Sequence, residues 1–150
     1  VPEWRIVVIR EVTVEDTDRV VGLLHQLWPE KRTDIAAMSG VVEKYVEDPR
    51  YWIFGYEDEG TLLGVITVSF RWTLFHGGEA AIIEDLIVDA GRRRKGIGAA
   101  LVRLVENKIR RQRGVTAIEV ESDLPRQEAH AFWESMGYSR LGFQFRKEMS

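Results

Sequence analysis

The 150-residue chain is 45% hydrophobic, carries a formal net charge of −3 and contains no cysteine. That size and apolar content suit one domain spanning residues 1–150, and the missing cysteines exclude disulfides, thiolate metal sites and a cysteine nucleophile while fitting a reducing cytoplasm. No apolar run approaches the roughly 20 residues that cross a bilayer, the opening Val-Pro-Glu-Trp-Arg does not read as a signal peptide, and the mildly acidic balance argues against a nucleic-acid binder, so a cytoplasmic protein with neither partner is expected.

Taken in chain order, residues 4–10 form a β-branched run that reads as a first strand. Thr13-Val14-Glu15-Asp16 opens a helix through about Trp28, with Val20, Val21, Leu23, Leu24 and Leu27 as its apolar stripe and Pro29 as its stop. A second helix is expected over residues 39–47, ended by Asp48-Pro49. Residues 51–56 and 62–72 read as a hairpin around the turn Glu57-Asp58-Glu59-Gly60, and Gly77-Gly78 leads into a strand over residues 80–88. Residues 97–112 place Ile97, Leu101, Leu104, Val105 and Ile109 on one helical face. Gly114 closes that helix, residues 116–121 return as a strand, Pro125 suits the first turn of a helix through about Met136, and residues 139–148 form a last strand. The resulting order, β-α-α-β-β-β-α-β-α-β, mixes hairpins with a crossover over residues 80–121 that is expected to be right-handed. It describes an α+β fold, α/β by looser usage, with a mixed central sheet flanked by helices.

Chemistry concentrates in residues 84–101, where an apolar strand meets Arg92-Arg93-Arg94-Lys95, then Gly96-Ile97-Gly98, then an amphipathic helix. A helix's first turn has N–H groups without partners and carries partial positive charge. Glycines there let an anion approach the backbone, and the cations add full charge, so a pyrophosphate is the natural guest. Residues 92–113 hold nine Lys or Arg against one acid, Glu106. A surface that binds nucleic acid would use those charges but leaves Gly96 and Gly98 without a purpose. A P-loop fails because Ile97-Gly98 stand where Lys-Ser/Thr should follow Gly96. A dinucleotide fingerprint fits poorly, because Asp89 to Lys95 intervene after the strand and Leu101 replaces the last small residue. His25, His76 and His130 lie far apart without ligand spacing, so no metal site is expected.

A third pattern, Gln/Arg-x-x-Gly-x-Gly/Ala, is met by Arg93-Arg94-Lys95-Gly96-Ile97-Gly98 after Leu86-Ile87-Val88. Here the chain resembles the GNAT superfamily of N-acetyltransferases. A second family element, Ala-x-x-Phe-Tyr-x-x-x-Gly-Phe, is nearly met by residues 129–138, Ala-His-Ala-Phe-Trp-Glu-Ser-Met-Gly-Tyr, and the order of elements agrees over essentially the whole chain. The resemblance implies acetyl-CoA as cofactor. Its pyrophosphate would take the N–H groups of Arg94, Lys95, Gly96, Ile97, Gly98 and Ala99 and charge from Arg93, and its pantetheine arm would lie along Leu86, Ile87 and Val88. The arm would occupy a gap where the strand of residues 80–88 splays from that of 116–121. His130, Trp133 and Arg126 would approach the same cofactor, with Arg126 standing where many relatives carry an asparagine.

Acetyl transfer to an amine needs a base for the ammonium and a donor for the developing oxyanion. Glu84 is the candidate base; strand alternation puts it on the face of Leu86 and Val88 and turns Asp85 away. The resemblance assigns the oxyanion donor to the Val88 N–H. It also exposes a departure, because Trp133 replaces the tyrosine that serves many relatives as general acid, and an indole delivers no proton. Solvent, Tyr138 or another residue would then protonate the thiolate. For the acceptor, the resemblance points to the first helices, residues 61–72 and the loop beyond, which offer Trp28, Glu30, Asp34, Glu43, Trp72, Phe75 and Glu79. Acids with aromatics suit a cationic amine. Gln26-Leu27-Trp28-Pro29-Glu30 is similar to the same region of aminoglycoside 6′-N-acetyltransferases. The reading is therefore an N-acetyltransferase acting on a primary amine of a small cationic molecule, aminoglycoside- or polyamine-like, or of a protein. Its rivals are a non-catalytic module that binds acyl-CoA and a basic-surface nucleic-acid binder. The strand after residue 138 and exposed aromatics point to a homodimer.

Overall fold

A computed structural model describes residues 5–30, 32–121 and 127–149. They fall into two compact units that meet at residues 119 and 120. The first unit opens with β1 (Val7–Glu11), a 3-10 turn (Val14–Asp16), α1 (Thr17–Leu27) and α2 (Ile35–Glu47). It continues with β2 (Tyr51–Asp58), β3 (Thr61–Thr73), β4 (Gly78–Val88), a 3-10 turn (Ala90–Arg92), α3 (Ile97–Gln112) and the start of β5 (Ile118–Val120). The strands form one sheet in the order β1-β2-β3-β4-β5, antiparallel from β1 to β4.

Each face of the sheet is covered by helix. Facing α1 and α2, Ile53, Val65 and Ile87 join Val12, Val20, Leu23, Leu24 and Val42 in a buried cluster. On the opposite face Ile66, Val68 and Phe70 meet the stripe of α3, in which Ile97, Leu101, Val105 and Ile109 are buried. Gly64 permits that approach: a Cβ there would stand 2.9 Å from Ile97 Cγ2 and 3.2 Å from Leu101 Cδ1. At the far end of α3, Arg113 binds Glu79 at 2.9 Å and lies over Phe70, 4.1 Å from its centroid.

Several expected boundaries move for local reasons. α2 begins at Ile35, not Ser39, because the Asp34 carboxylate accepts from the Ala36 and Ala37 N–H groups at 2.9 and 3.3 Å and caps the helix early. The β2–β3 turn shrinks to Glu59 and Gly60, both at positive φ (49° and 80°), while Glu57 and Asp58 stay in the strand. Arg5 pairs with Asp58 and Arg10 with Glu57, which holds those two acids in place.

The second unit contains α4 (Gln127–Ser135). Its Trp133 ring packs edge-on to Phe132 and Tyr138, with centroids 5.1 and 5.2 Å apart, and Gly137 turns the chain at φ 92°. The expected last strand over residues 139–148 is absent: residues 138–149 pair with no sheet among the described residues. Leu141, Phe143 and Phe145 alternate as a strand would, yet all three are exposed. Alternation supplies a sided ribbon, but a strand also needs a ladder partner. Pro125, expected to open α4, lies outside the described residues.

Candidate active site

β4 has an irregularity in its middle that decides where its acids point. Ile83 pairs with Val68 and Asp85 with Thr67, so Glu84 opposes no residue of β3 and forms a bulge. Thr67 and Ser69, two residues apart, share the sheet face that α1 and α2 cover, whereas Leu86 and Val88 pair with Ile66 and Gly64 on the α3 face. The Ser69 hydroxyl donates to Glu84 Oε1 at 2.7 Å, and the Thr67 hydroxyl donates to Asp85 Oδ2 at 2.7 Å. The expectation that Glu84 shares the face of Leu86 and Val88, with Asp85 turned away, is therefore corrected. The extra residue resets the alternation, and both carboxylates reach the hydroxyl-bearing face.

Tyr45 on α2 completes this patch. Its hydroxyl lies close to Thr67 and within reach of the Asp85 and Glu84 charges. Thr67 gives its one hydroxyl proton to Asp85. Burial, then the Asp85 charge, push the Tyr45 phenol up to about 12, against a smaller opposing pull from Thr67. Tyr51 lies against Tyr45 with centroids 5.0 Å apart. Sequence reasoning missed Tyr45, Thr67 and Ser69. The available signal was the Glu84-Asp85 pair inside an apolar strand, which no simple alternation accommodates.

The inner end of β4 has a different character. The Asp89 N–H donates to the Leu63 carbonyl at 2.8 Å, which extends the ladder one residue past Val88. Antiparallel ladders alternate, so the N–H and C=O groups of Val88 and Leu86 point away from β3 toward the outer edge, while the Ile87 side chain is buried against α1 and α2. β4 runs eleven residues and β5 three, so among the described residues most of that edge has no strand partner. β5 is tied to the outer part of β4, where the Ala81 N–H meets the Ala117 carbonyl at 3.2 Å.

Beyond Val88 the chain makes its 3-10 turn and enters the cation run. Arg93 Nε lies 3.4 Å from the Val88 carbonyl, and Arg93 and Lys95 are exposed. Arg94 adopts φ 63° and Gly96 φ 83°, two left-handed residues separated by one. The chain then enters α3, whose first-turn N–H groups, those of Ile97, Gly98 and Ala99, have no partner within the helix. The space beside Gly96, where a side chain would project, is open. Ile97 turns its side chain into the core and offers this loop only its backbone.

The other expected site residues are scattered. Trp28 is half-buried against the α1–α2 core, and Glu30 is exposed. Trp72 is 80% exposed near the tip of the β3–β4 hairpin, paired with Glu79 on the α3 face and so on the opposite face from Thr67 and Ser69. Asp34 is engaged as a cap and Glu79 by Arg113. His130 and Trp133 lie on α4 in the second unit, and Arg126 falls outside the described residues.

The family model described as "Acetyltransferase (GNAT) family" matches residues 18–138. The chain belongs to this family. It is 26% identical over 141 residues, 94% of this chain and 90% of the relative, to the aminoalkylphosphonate N-acetyltransferase of Salmonella typhimurium. Among solved structures, it is similar to a transcriptional regulator from Bacillus halodurans C-125, with a TM-score of 0.87, 21% identity, and coverage of 96% of this chain and 100% of that one. It is also similar to the aminoglycoside N-acetyltransferase AAC(6′)-Iy in complex with CoA, with a TM-score of 0.83, 18% identity and 99% of each chain covered. GNAT acetyltransferases use acetyl-CoA. The present residues fit that molecule: the open space beside Gly96 and the first-turn N–H groups of α3 suit its anionic part, and the stretch of β4 edge without a strand partner among the described residues suits an amide-bearing arm. As a member of the GNAT family the protein is an acyltransferase, and no described helix is long and apolar enough to cross a membrane.

Proposed function

We propose that this GNAT enzyme transfers the acetyl group of acetyl-CoA to a primary amine of a small cationic molecule, with Glu84 as the base. The bulge carries this reading. It brings Glu84 and Asp85 to one face beside Tyr45, while the backbone groups of Leu86 and Val88 turn to the other edge of β4, where the cofactor arm would lie.

Acetyl-CoA, when bound, supplies an activated acyl carbon. The N–H groups of residues 94–99 and the Arg93 charge hold its diphosphate, and the edge groups of Leu86 and Val88 hold its arm. Glu84 takes the proton of the attacking ammonium, whose pKa near 10 keeps it charged at neutral pH. The outward Val88 N–H is placed to donate to the carbonyl oxygen as charge develops there. The nitrogen–carbon bond forms as the carbon–sulfur bond breaks. With Trp133 unable to supply a proton, solvent protonates the departing thiolate, whose pKa near 8.5 makes that adequate.

Two adjacent carboxylates favour an acceptor that carries more than one positive charge, and they repel one with an anion near its amine. By its name, one relative acts on aminoalkylphosphonates and one structural neighbour on aminoglycosides. The acid pair supports the second kind of molecule, or a polyamine, over the first. The test is CoA release from acetyl-CoA with a panel of polyamines, aminoglycosides and aminoalkylphosphonates. Turnover on the polycations supports the reading. Turnover confined to the phosphonates overturns the choice of acceptor, and CoA binding without release on any amine points to a non-catalytic module.

A further inference from the structure

The loop between β4 and α3 is divided. In residues 89–92 every N–H group has an acceptor: Asp89 donates to the Leu63 carbonyl (2.8 Å), Ala90 to Gln26 Oε1 (2.7 Å), Gly91 to Asp89 Oδ1 (2.9 Å) and Arg92 to the Asp89 carbonyl (2.9 Å). The N–H groups assigned above to the diphosphate follow immediately, in residues 94–99. The first half is therefore an anchor, and what fixes it sets the position of the second.

Two side chains of α1 supply that fixing from outside the loop. Arg19 Nε donates to the Leu62 carbonyl at 2.8 Å, and its Nη2 donates to Asp89 Oδ2 at 2.8 Å. One guanidinium thus ties the start of β3 to the residue that follows β4. Gln26 stands seven residues on, two helical turns along the same face of α1, and receives the Ala90 N–H. Asp89 has both oxygens engaged, one by Gly91 and one by Arg19, and these two contacts hold its carboxyl below the usual carboxylate range.

We infer that Arg19 and Gln26 are positioning residues for coenzyme A: they hold the anchored half of the loop so that the N–H groups of the other half converge on the diphosphate. The inference rests on the assignment of that diphosphate to residues 94–99. Neither side chain touches the cofactor in this account. Their contribution is pre-organisation, which raises affinity by removing the cost of ordering the loop at the moment of binding. An arginine is needed at position 19 because its fork reaches two acceptors, one on β3 and one just past β4, whereas a lysine ammonium reaches one.

The experiment measures CoA affinity by calorimetry for the wild type, Arg19→Ala, Arg19→Lys and Gln26→Ala, together with the melting temperature of each free protein and amide exchange at residues 90–92. Arg19→Ala, which removes both guanidinium bonds, is expected to weaken CoA binding about tenfold, and Arg19→Lys to recover part of it. Gln26→Ala, at an exposed position, should weaken binding severalfold and speed exchange of the Ala90 amide while the free protein melts as before. That variant decides the matter if Arg19→Ala does not fold. Variants that bind CoA as tightly as a binding-competent wild type overturn the inference alone. A wild type that does not bind CoA overturns the functional reading and the inference with it.

Discussion

The two faces of the β3–β4 ribbon are built from neighbouring residues and differ completely in character. On the α3 face Gly64, Ile66 and Val68 meet an apolar helix stripe at van der Waals distance. On the other face Val65 and Ile87 are just as dry, but a few residues along the same strands Thr67 and Ser69 hold two carboxylates beside the Tyr45 phenol. One unpaired residue, Glu84, separates these outcomes. Packing precision confines chemistry to one side of the sheet, and a local break in the ladder places it there. Four substitutions test that contrast.

The largest effect is expected at the polar face. Glu84→Gln should lower turnover at neutral pH about 100-fold, the scale of a lost general base, while CoA affinity stays unchanged. Steady-state rates alongside calorimetry check both parts, and full turnover across the pH range removes Glu84 from the mechanism. Gly64→Val acts on the opposite face, where the added carbons meet Ile97, Leu101 and the Ile87 carbonyl. Overpacking of this kind costs about 1–3 kcal/mol, so urea unfolding should shift to lower denaturant and CoA binding should weaken as α3 is displaced. Thr67→Val keeps the shape but leaves one Asp85 oxygen without its partner, for a loss of about 1–2 kcal/mol in the same assay. Tyr45→Phe should change stability least near neutrality and reveal itself with pH. The folded state keeps the phenol protonated up to about 12, above the unfolded value near 10, so the stability it confers is present below pH 10 and fades as pH rises toward 12. Thermal melts over that range should fall less steeply in the variant.

Much of this fold was legible because its elements carry their own signals. The bounds of α3 follow from Gly96 before the helix and a five-residue apolar stripe within it, and the hairpins follow from β-branched runs broken at glycine. Position 34 shows where such reading stops: Asp34 looked like an acceptor-site acid, but local geometry makes it a helix cap. Residues 139–148 show another limit, because an alternating ribbon reads as a strand whether or not a partner exists. The anion loop was found from composition and spacing, both local. The acid–hydroxyl–phenol patch was not, since it depends on a bulge that shifts register by one residue and on a tyrosine arriving from α2. Arg19 and Gln26 were equally silent, for their roles exist only once α1 lies beside the end of β4.

Backbone N–H groups at the start of α3 are the proposed receptor of the CoA diphosphate. Calorimetric titration of CoA into the wild type and into Gly96→Val tests this most directly, because a β-branched side chain at φ 83° strains the left-handed turn and projects into the open space where the anion approaches. The expected result is saturable binding by the wild type and a loss of at least about 100-fold in the variant, roughly 2.7 kcal/mol, with α3 still helical by circular dichroism. Equal affinity in both proteins would contradict it.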